Sequence, residues 1–91
     1  MSEGRRTKLD IMNDILISIQ QEGGEIKPTR LLYKSNLSYK KLIEYTTELI
    51  SKGLITEYTG GEKRSYRITE KGASFVQEYR RIREFIDAFG L

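Results

Sequence analysis

The segment from Asn36 to Ile55, "NLSYKKLIEYTTELISKGLI", constrains the fold most because it contains a turn, both ends of a helix and the start of a strand. Its apolar positions recur at three- and four-residue steps, which predicts an amphipathic helix. Ser38 supplies the hydroxyl of an N-cap, and Gly53 can take the left-handed conformation that ends a helix. The predicted buried stripe consists of Tyr39, Leu42, Ile43, Thr46, Leu49 and Ile50. The opposite, outward arc carries Lys40, Lys41, Glu44, Tyr45, Thr47, Glu48 and Ser51.

Two more helices are predicted before this segment. The first begins at Thr7, which forms a capping-box pattern with Asp10, and it ends at the "GG" of positions 23 and 24. Its predicted buried stripe consists of Leu9, Met12, Ile15, Leu16 and Ile19, while Ile11 and Ile17 either widen that stripe or face a second subunit. The second is "PTRLLYKS", with Pro28 in its first turn and an inward face of Leu31, Leu32 and Tyr33. Asn36 ends it in a left-handed conformation, so a short turn joins two helices.

Two strand-like runs follow Gly53, "LITEYT" and "SYRIT", joined by "GGEKR". The glycines supply the positive φ that a hairpin loop needs, so these runs predict a small two-stranded wing. In the second run Tyr66 and Ile68 share one face, which places Arg67 on the outside.

The last segment predicts a helix capped by Thr69 that has more apolar surface than one small domain can cover. Its apolar residues step by four and three along a heptad-type seam, and its length carries the second half beyond the domain. Self-association is therefore expected, although the seam can also pack within its own domain. The predicted dimer interface consists of Phe75, Tyr79, Ile82, Phe85, Ile86 and Phe89.

Composition excludes several classes of function. The 91 residues contain no Cys and no His, which removes disulfides, the usual zinc sites and the commonest general base. No catalytic or phosphate-cradling motif is present, so we expect no enzyme, no metal and no cofactor. We also expect a soluble cytoplasmic protein, because no apolar run approaches the roughly 20 residues that cross a bilayer. The net charge of +3 favours an anionic partner only weakly.

The order helix, helix, turn, helix, hairpin, helix is that of a winged helix-turn-helix domain. With "NLSY" at the turn, "KGLI" after the third helix and "TEKG" at the last, residues 7 to about 80 resemble small archaeal winged helix-turn-helix DNA-binding proteins. These are the a-class chromatin-associated proteins and related predicted transcription regulators. The resemblance implies an α+β, mainly α fold whose C-terminal helix forms an antiparallel coiled-coil homodimer. The final helix here is shorter than in the chromatin proteins, so a shorter or differently crossed contact is expected.

Residues 1–6 are small, polar and basic without periodicity, which predicts a flexible basic arm, followed by a DNA-binding domain (7–72) and a dimerisation helix (73–91). The resemblance implies a nucleoid-associated protein that binds double-stranded DNA with the recognition helix (38–52) in the major groove and the wing (59–65) on the backbone. By position, its DNA-facing surface falls on Lys40, Lys41, Glu44, Tyr45, Thr47, Lys63 and Arg64. Phosphate chemistry independently selects basic residues and a helix N-terminus, namely Arg5, Arg6, Arg30, Lys34, Ser38, Lys40, Lys41, Lys63, Arg64 and Arg67.

Simpler interpretations exist for several of these residues. Lys40 and Lys41 are also expected on any solvated helix face, where Lys40 would pair with Glu44 and Glu48 with Lys52. Glu44 can instead accept a hydrogen bond from cytosine N4. Tyr39 is assigned to the core, and "GGEKR" can be a solvated loop. The whole domain can also be a protein-interaction module that binds no DNA, since a fold alone does not define a function.

Overall fold

The computed structural model describes residues 6–91, which form four helices and one three-stranded antiparallel sheet. This confirms the predicted fold, a mainly helical winged helix-turn-helix with a C-terminal helix. Arg5, assigned to the basic arm, lies outside the described residues. In chain order the elements are α1 (Lys8–Gln21), β1 (Glu25–Ile26), α2 (Pro28–Ser35), α3 (Tyr39–Ser51), β2 (Ile55–Gly60), β3 (Lys63–Ile68) and α4 (Glu70–Ala88).

The helix ends follow the local sequence signals. The Thr7 hydroxyl accepts a hydrogen bond from the Asp10 N–H at 3.1 Å, and the Asp10 carboxylate accepts from the Thr7 N–H at 3.0 Å. The Ser38 and Thr69 hydroxyls likewise cap α3 and α4. Asn36 has a φ of 58°, which confirms the left-handed turn between α2 and α3. These ends depend on contacts only a few residues apart, so the sequence alone predicts them.

The sheet contains one strand that the sequence did not predict. The two residues of β1 pair with β3, with Glu25 opposite Arg67 and Ile26 opposite Tyr66. A two-residue strand has no periodicity of its own, and it forms only because β3 offers a free edge. The wing is also longer than predicted, since β2 and β3 continue to a turn at positions 61 and 62. Lys63 and Arg64 therefore lie in β3 and not in a loop.

The hydrophobic core lies between α1, the helix-turn-helix and the inner face of the sheet. Tyr66 and the Thr46 side chain are also buried, and the Thr46 hydroxyl donates to the Leu42 carbonyl at 2.9 Å. This bond satisfies the one polar side chain among the buried residues of α3. The apolar core consists of Met12, Ile15, Leu16, Ile19, Ile26, Leu31, Leu42, Leu49, Leu54, Ile55 and Tyr66.

Four residues predicted to face inward are exposed. Leu9 is 54 % exposed, Tyr33 is 81 % exposed, Tyr39 is 63 % exposed and Ile50, in the last turn of α3, is 36 % exposed. Leu9 and Tyr39 occupy the first turns of α1 and α3, and α2 is a short helix of 8 residues that buries only Leu31 and Ser35. Periodicity shows which side of a helix a residue occupies, but it does not show whether another element covers that point of the helix. These predictions were therefore wrong.

The start of α4 packs closely on the chain that leaves α3. A Cβ atom at Gly72 would lie 2.2 Å from the Leu54 carbonyl oxygen and 2.8 Å from Cγ1 of Ile68. The Leu54 oxygen belongs to the backbone and also accepts a hydrogen bond from the Thr69 N–H at 3.1 Å. Gly72 is thus required by a close approach between α4 and this backbone segment.

We expect Gly72→Ala to destabilise the protein by about 1–3 kcal/mol or more, because overpacking against backbone forces α4 to move. In an open helix interior the same change would stabilise by about 1 kcal/mol, so the expected sign is reversed. Urea unfolding at one fixed protein concentration measures the effect, and Ser74→Ala at an exposed position of α4 is the matched control. A Gly72→Ala variant as stable as the parent would contradict this packing.

The second half of α4 extends away from the core. Ile82, Phe85 and Phe89 are 55 %, 62 % and 66 % exposed, whereas Phe75 and Val76 near the start of α4 pack against the core. The described residues measure 50 Å along their longest axis and 26 Å and 22 Å across it. A single copy therefore leaves three of the six residues of the predicted dimer interface exposed to water. No helix within residues 6–91 is long and apolar enough to cross a membrane.

Candidate nucleic-acid interface

Five of the seven residues on the outward arc of α3 are exposed. Leu42, Thr46 and Leu49 anchor the opposite side in the core, so the helix cannot rotate this arc inward. The Ser38 hydroxyl accepts the Lys41 N–H at 3.2 Å and thereby fixes the first turn. The exposed side chains on this arc are Lys40, Lys41, Glu44, Thr47 and Ser51.

Tyr39 and Tyr45 differ from their predicted positions. Tyr45 is half-buried and packs against the core, while Tyr39 is exposed at the N-terminus of α3. Leu42, Tyr45 and Leu49 follow one another at three- and four-residue steps, so the same periodicity could have identified Tyr45 as a stripe residue. Only part of Tyr45 is accessible to a ligand, whereas Tyr39 joins the candidate surface.

Most of the candidate cations form ion pairs within the chain. Lys41 pairs with Glu44 at 3.6 Å, so the expected pair of Lys40 with Glu44 was wrong. The predicted pair of Glu48 with Lys52 is present at 3.8 Å, and Glu48 also binds Lys8 at 2.7 Å. The remaining pairs are Arg6–Asp14 at 2.9 Å, Arg30–Glu22 at 3.2 Å, Lys34–Glu22 at 3.6 Å, Arg64–Glu57 at 2.6 Å and Arg67–Glu25 at 3.3 Å. Such partly exposed pairs are weak, so these cations can exchange their carboxylates for phosphates.

Lys40 and Lys63 form no ion pair within residues 6–91. They lie on the two elements that the sequence assigned to DNA, the arc of α3 and the wing. Because neither lysine is paired with a carboxylate there, each can bind a phosphate without breaking an internal ion pair.

The outer face of the sheet holds Arg67 in place. Its guanidinium carbon lies 4.2 Å from the centroid of the Tyr58 ring, and its Nε lies 3.3 Å from Glu25. The Ser65 hydroxyl also donates a hydrogen bond to Glu25. Arg67 is therefore on the outside, as predicted, but its contacts stabilise the junction of β1 and β3.

A cleft of about 420 Å³ separates the start of α2 from the wing. Four of its side chains are basic and come from distant parts of the sequence, and two acids balance them in part. Lys27 belongs to this cleft, although the sequence analysis did not select it. Its position directly before Pro28, at the N-cap of α2, was the available signal. The charged lining residues are Glu22, Glu25, Lys27, Arg30, Lys63 and Arg64.

The pKa values of two groups in this region are shifted by their neighbours. The hydrogen bond from Ser65 lowers the pKa of the Glu25 carboxyl, and Arg67 lowers it further, against the opposite effect of desolvation. The hydrogen bond and charge of Glu57 raise the pKa of the Arg64 guanidinium, with smaller effects of Tyr66 and Tyr39. Both shifts favour the charged forms that hold the sheet together.

The lowered pKa of Glu25 predicts a dependence of stability on pH. A carboxylate with a depressed folded-state pKa stabilises fully above its unfolded pKa, here 4.5, and loses that effect as pH falls through the folded value. We expect Glu25→Gln to lower the melting temperature at neutral pH and the difference from the parent to vanish under strongly acidic conditions. Thermal unfolding between pH 7 and acid measures this, with Glu62→Gln in the hairpin turn as control. A constant difference at every pH would contradict it.

The helix-turn-helix, its exposed third helix and the basic wing define the winged-helix class. The sequence pattern of the winged helix-turn-helix family matches residues 5–87, and the chain belongs to this family. No curated protein matches the chain in sequence.

Several solved structures share the fold. Sso10a-2, a DNA-binding protein from Sulfolobus solfataricus, is 28% identical with a TM-score of 0.73, over 94% of this chain and 90% of that one. A winged-helix DNA-binding protein from STIV is 18% identical with a TM-score of 0.73, over 86% and 90%. MepR, a transcription regulator of the Staphylococcus aureus multidrug efflux pump MepA, is 16% identical with a TM-score of 0.73, over 88% and 61%. At their lower identities the last two show the fold alone.

Proposed function

We propose that this chain binds double-stranded DNA as a homodimer, with α3 in the major groove and the wing on the flanking backbone. The exposed basic arc of α3 carries the proposal, because a core-anchored helix that presents lysines and a hydroxyl is suited to groove binding. The proposed activity is binding and not catalysis. The basic cleft between α2 and the wing supports it with a second phosphate-binding region.

The exposed residues divide into two roles. Lys40, Lys41 and the wing cations neutralise phosphates, and the Ser38-capped start of α3 adds backbone N–H groups for a phosphate oxygen. Thr47 and Glu44 can reach base edges, with Glu44 accepting from cytosine N4. Phosphate contacts supply affinity and register, whereas base contacts supply any preference for sequence.

The proposed biological role is that of an archaeal-type transcription regulator or a small chromatin protein. The similarity to Sso10a-2 over nearly the whole chain supports this role. The two roles differ in specificity, since an architectural protein binds most sequences within roughly tenfold while a regulator gains about 10³ or more over random DNA. Competition between selected and random duplexes decides between them.

Self-association through α4 completes the proposal. The exposed Ile82, Phe85 and Phe89 form a large apolar surface on one helix, and burial in a second copy would remove it from water. Two-fold symmetry then predicts an inverted-repeat site whose half-site spacing equals the separation of the two α3 helices. A footprint with one half-site per dimer would count against this geometry.

Fluorescence anisotropy of a labelled random-sequence duplex tests the proposal directly. We expect the logarithm of the binding constant to fall linearly with the logarithm of salt concentration, with a slope of about −0.9 for each phosphate neutralised. A slope that corresponds to several contacts supports DNA as the partner. Absence of binding even at low salt excludes it.

A protein-interaction module is the alternative, and the extensive ion pairing of the candidate cations favours it. Arg6, Arg30, Lys34, Lys41, Arg64 and Arg67 all contact carboxylates, which reduces the positive potential of the surface. Under this alternative, Lys40→Glu with Lys41→Glu leaves DNA binding as negligible as in the parent and instead disrupts a protein partner.

A further inference from the structure

A second cavity, of about 540 Å³, lies between the start of α1, the end of α3 and the start of α4. Leu9, Met12, Leu54 and Phe75 form its apolar wall. Met12 and Leu54 are buried, but Leu9 is more than half exposed and Phe75 is half-buried, so this part of the wall faces water in a single chain. An apolar occupant would therefore remove surface from water that the fold itself leaves exposed.

The rim of this cavity is positively charged. Lys8 and Lys52 both approach the Glu48 carboxylate, at 2.7 Å and 3.8 Å, and Lys71 donates to the Lys52 carbonyl oxygen at 2.8 Å. The rim thus carries three ammonium groups and only one carboxylate. The cavity therefore favours a ligand with an apolar group that contacts the wall and a negative charge that contacts the rim.

The far end of α4 has these two properties. The Phe85 and Phe89 rings lie 4.9 Å apart and are both exposed. The C-terminal end of a helix carries the negative end of its dipole, and Asp87 adds a carboxylate there. Within residues 6–91 the Asp87 carboxylate forms one ion pair, with the exposed Arg83 at 3.6 Å. It can exchange this partner for another cation.

Helix geometry brings the two features together in an antiparallel pair. The apolar surface of α4 extends from Phe75 to Phe89, and its midpoint is Ile82. Two copies that bury this whole surface cross near Ile82, so the end of each α4 reaches the start of the other. The partner's Phe89 then lies beside Phe75, which is in the wall of the cavity.

We propose that this cavity receives the last turn of α4 from a second copy, with the partner's Phe89 against Leu9 and Phe75. The partner's Asp87 then meets the lysine rim. This inference rests on the homodimer of the proposed function and adds a contact outside the α4 seam. Because Glu48 and Lys52 at the end of α3 belong to the same rim, the contact connects dimerisation to the recognition helix.

Paired cysteines test the contact without background, because the chain contains no Cys. We expect Leu9→Cys with Phe89→Cys to form a covalent dimer on oxidation with copper phenanthroline, seen on a non-reducing gel and by mass. Each single variant should remain unlinked. Tyr33→Cys with Phe89→Cys is the matched control, since Tyr33 is exposed on α2 and lies outside the cavity. Ile82→Cys reports the dimer itself, because the two copies of this residue meet near the symmetry axis.

The outcomes separate the cavity contact from the dimer. Linkage through Ile82→Cys without linkage between positions 9 and 89 keeps the dimer and overturns the contact. A dimer in which the Leu9→Cys thiol still reacts freely with maleimide also overturns it, because the partner's last turn then does not occupy the cavity. Equal linkage in the Tyr33 control indicates unspecific collision and overturns it too. A disulfide between positions 9 and 89 of the same chain also overturns it. Phe89 lies about 21 Å from Phe75 along α4, so in this fold it does not reach the cavity of its own chain.

Discussion

Lys40→Glu combined with Lys41→Glu is expected to weaken binding to a random-sequence duplex by at least about a hundredfold at low salt, because phosphate contacts dominate affinity. The double variant changes the net charge of each chain from +3 to −1 and places the change on the exposed arc of α3. Each lysine that contacts a phosphate contributes about one unit to the salt slope, so the slope of a dimer should fall by about four. Anisotropy titrations across a salt series measure both quantities.

The matched control for this experiment is Arg80→Glu with Arg81→Glu. These residues are exposed on α4, with side-chain exposures of 81% and 77%, and the substitution changes the net charge by the same amount. If the position of the charge matters, the control keeps most of the affinity of the parent. Equal losses in both variants would show that only the total charge matters, and this would remove α3 as the proposed DNA-binding element.

Ile82→Asp is expected to convert the proposed homodimer into a monomer. Ile82 lies at the middle of the apolar surface of α4, so in an antiparallel pair the two introduced carboxylates would meet near the symmetry axis without a cation. A buried unpaired charge costs several kcal/mol, enough to abolish association at micromolar concentrations. Size-exclusion chromatography with light scattering measures the mass, which for a dimer is twice 10.6 kDa.

Gln77→Asp is the control for the dimer experiment, because it places the same carboxylate on an exposed position of the same helix. This variant should remain dimeric. The monomeric Ile82→Asp should also bind DNA more weakly than the parent, since one α3 helix then replaces two linked ones. A parent protein that is itself monomeric at high concentration would remove the dimer from the proposal.

Much of the fold could be predicted from the sequence because its signals are local. The caps at Thr7, Ser38 and Thr69 act through hydrogen bonds to backbone groups three residues away. Asn36 and Gly53 adopt positive φ in the turns where their sequence context required it. The candidate DNA-binding residues were selected from the resemblance and from phosphate chemistry, and the apolar periodicity of α3 accounts for the exposure of Lys40, Lys41, Glu44 and Thr47. Their binding role stays a prediction.

The tertiary structure decided the features that depend on distant neighbours. It added β1, which exists only through its pairing with β3, and it exposed Tyr39 while it half-buried Tyr45. It also brought Lys27 and Arg30 beside Lys63 and Arg64 across more than thirty positions. The amino-acid sequence by itself determined the four helices and their ends, the hairpin and the apolar surface of α4, because these depend on backbone conformation and spacing. The burial of a side chain by another element, and the ion pairs between distant residues, depend on which elements are in contact. Only the folded chain determines those contacts.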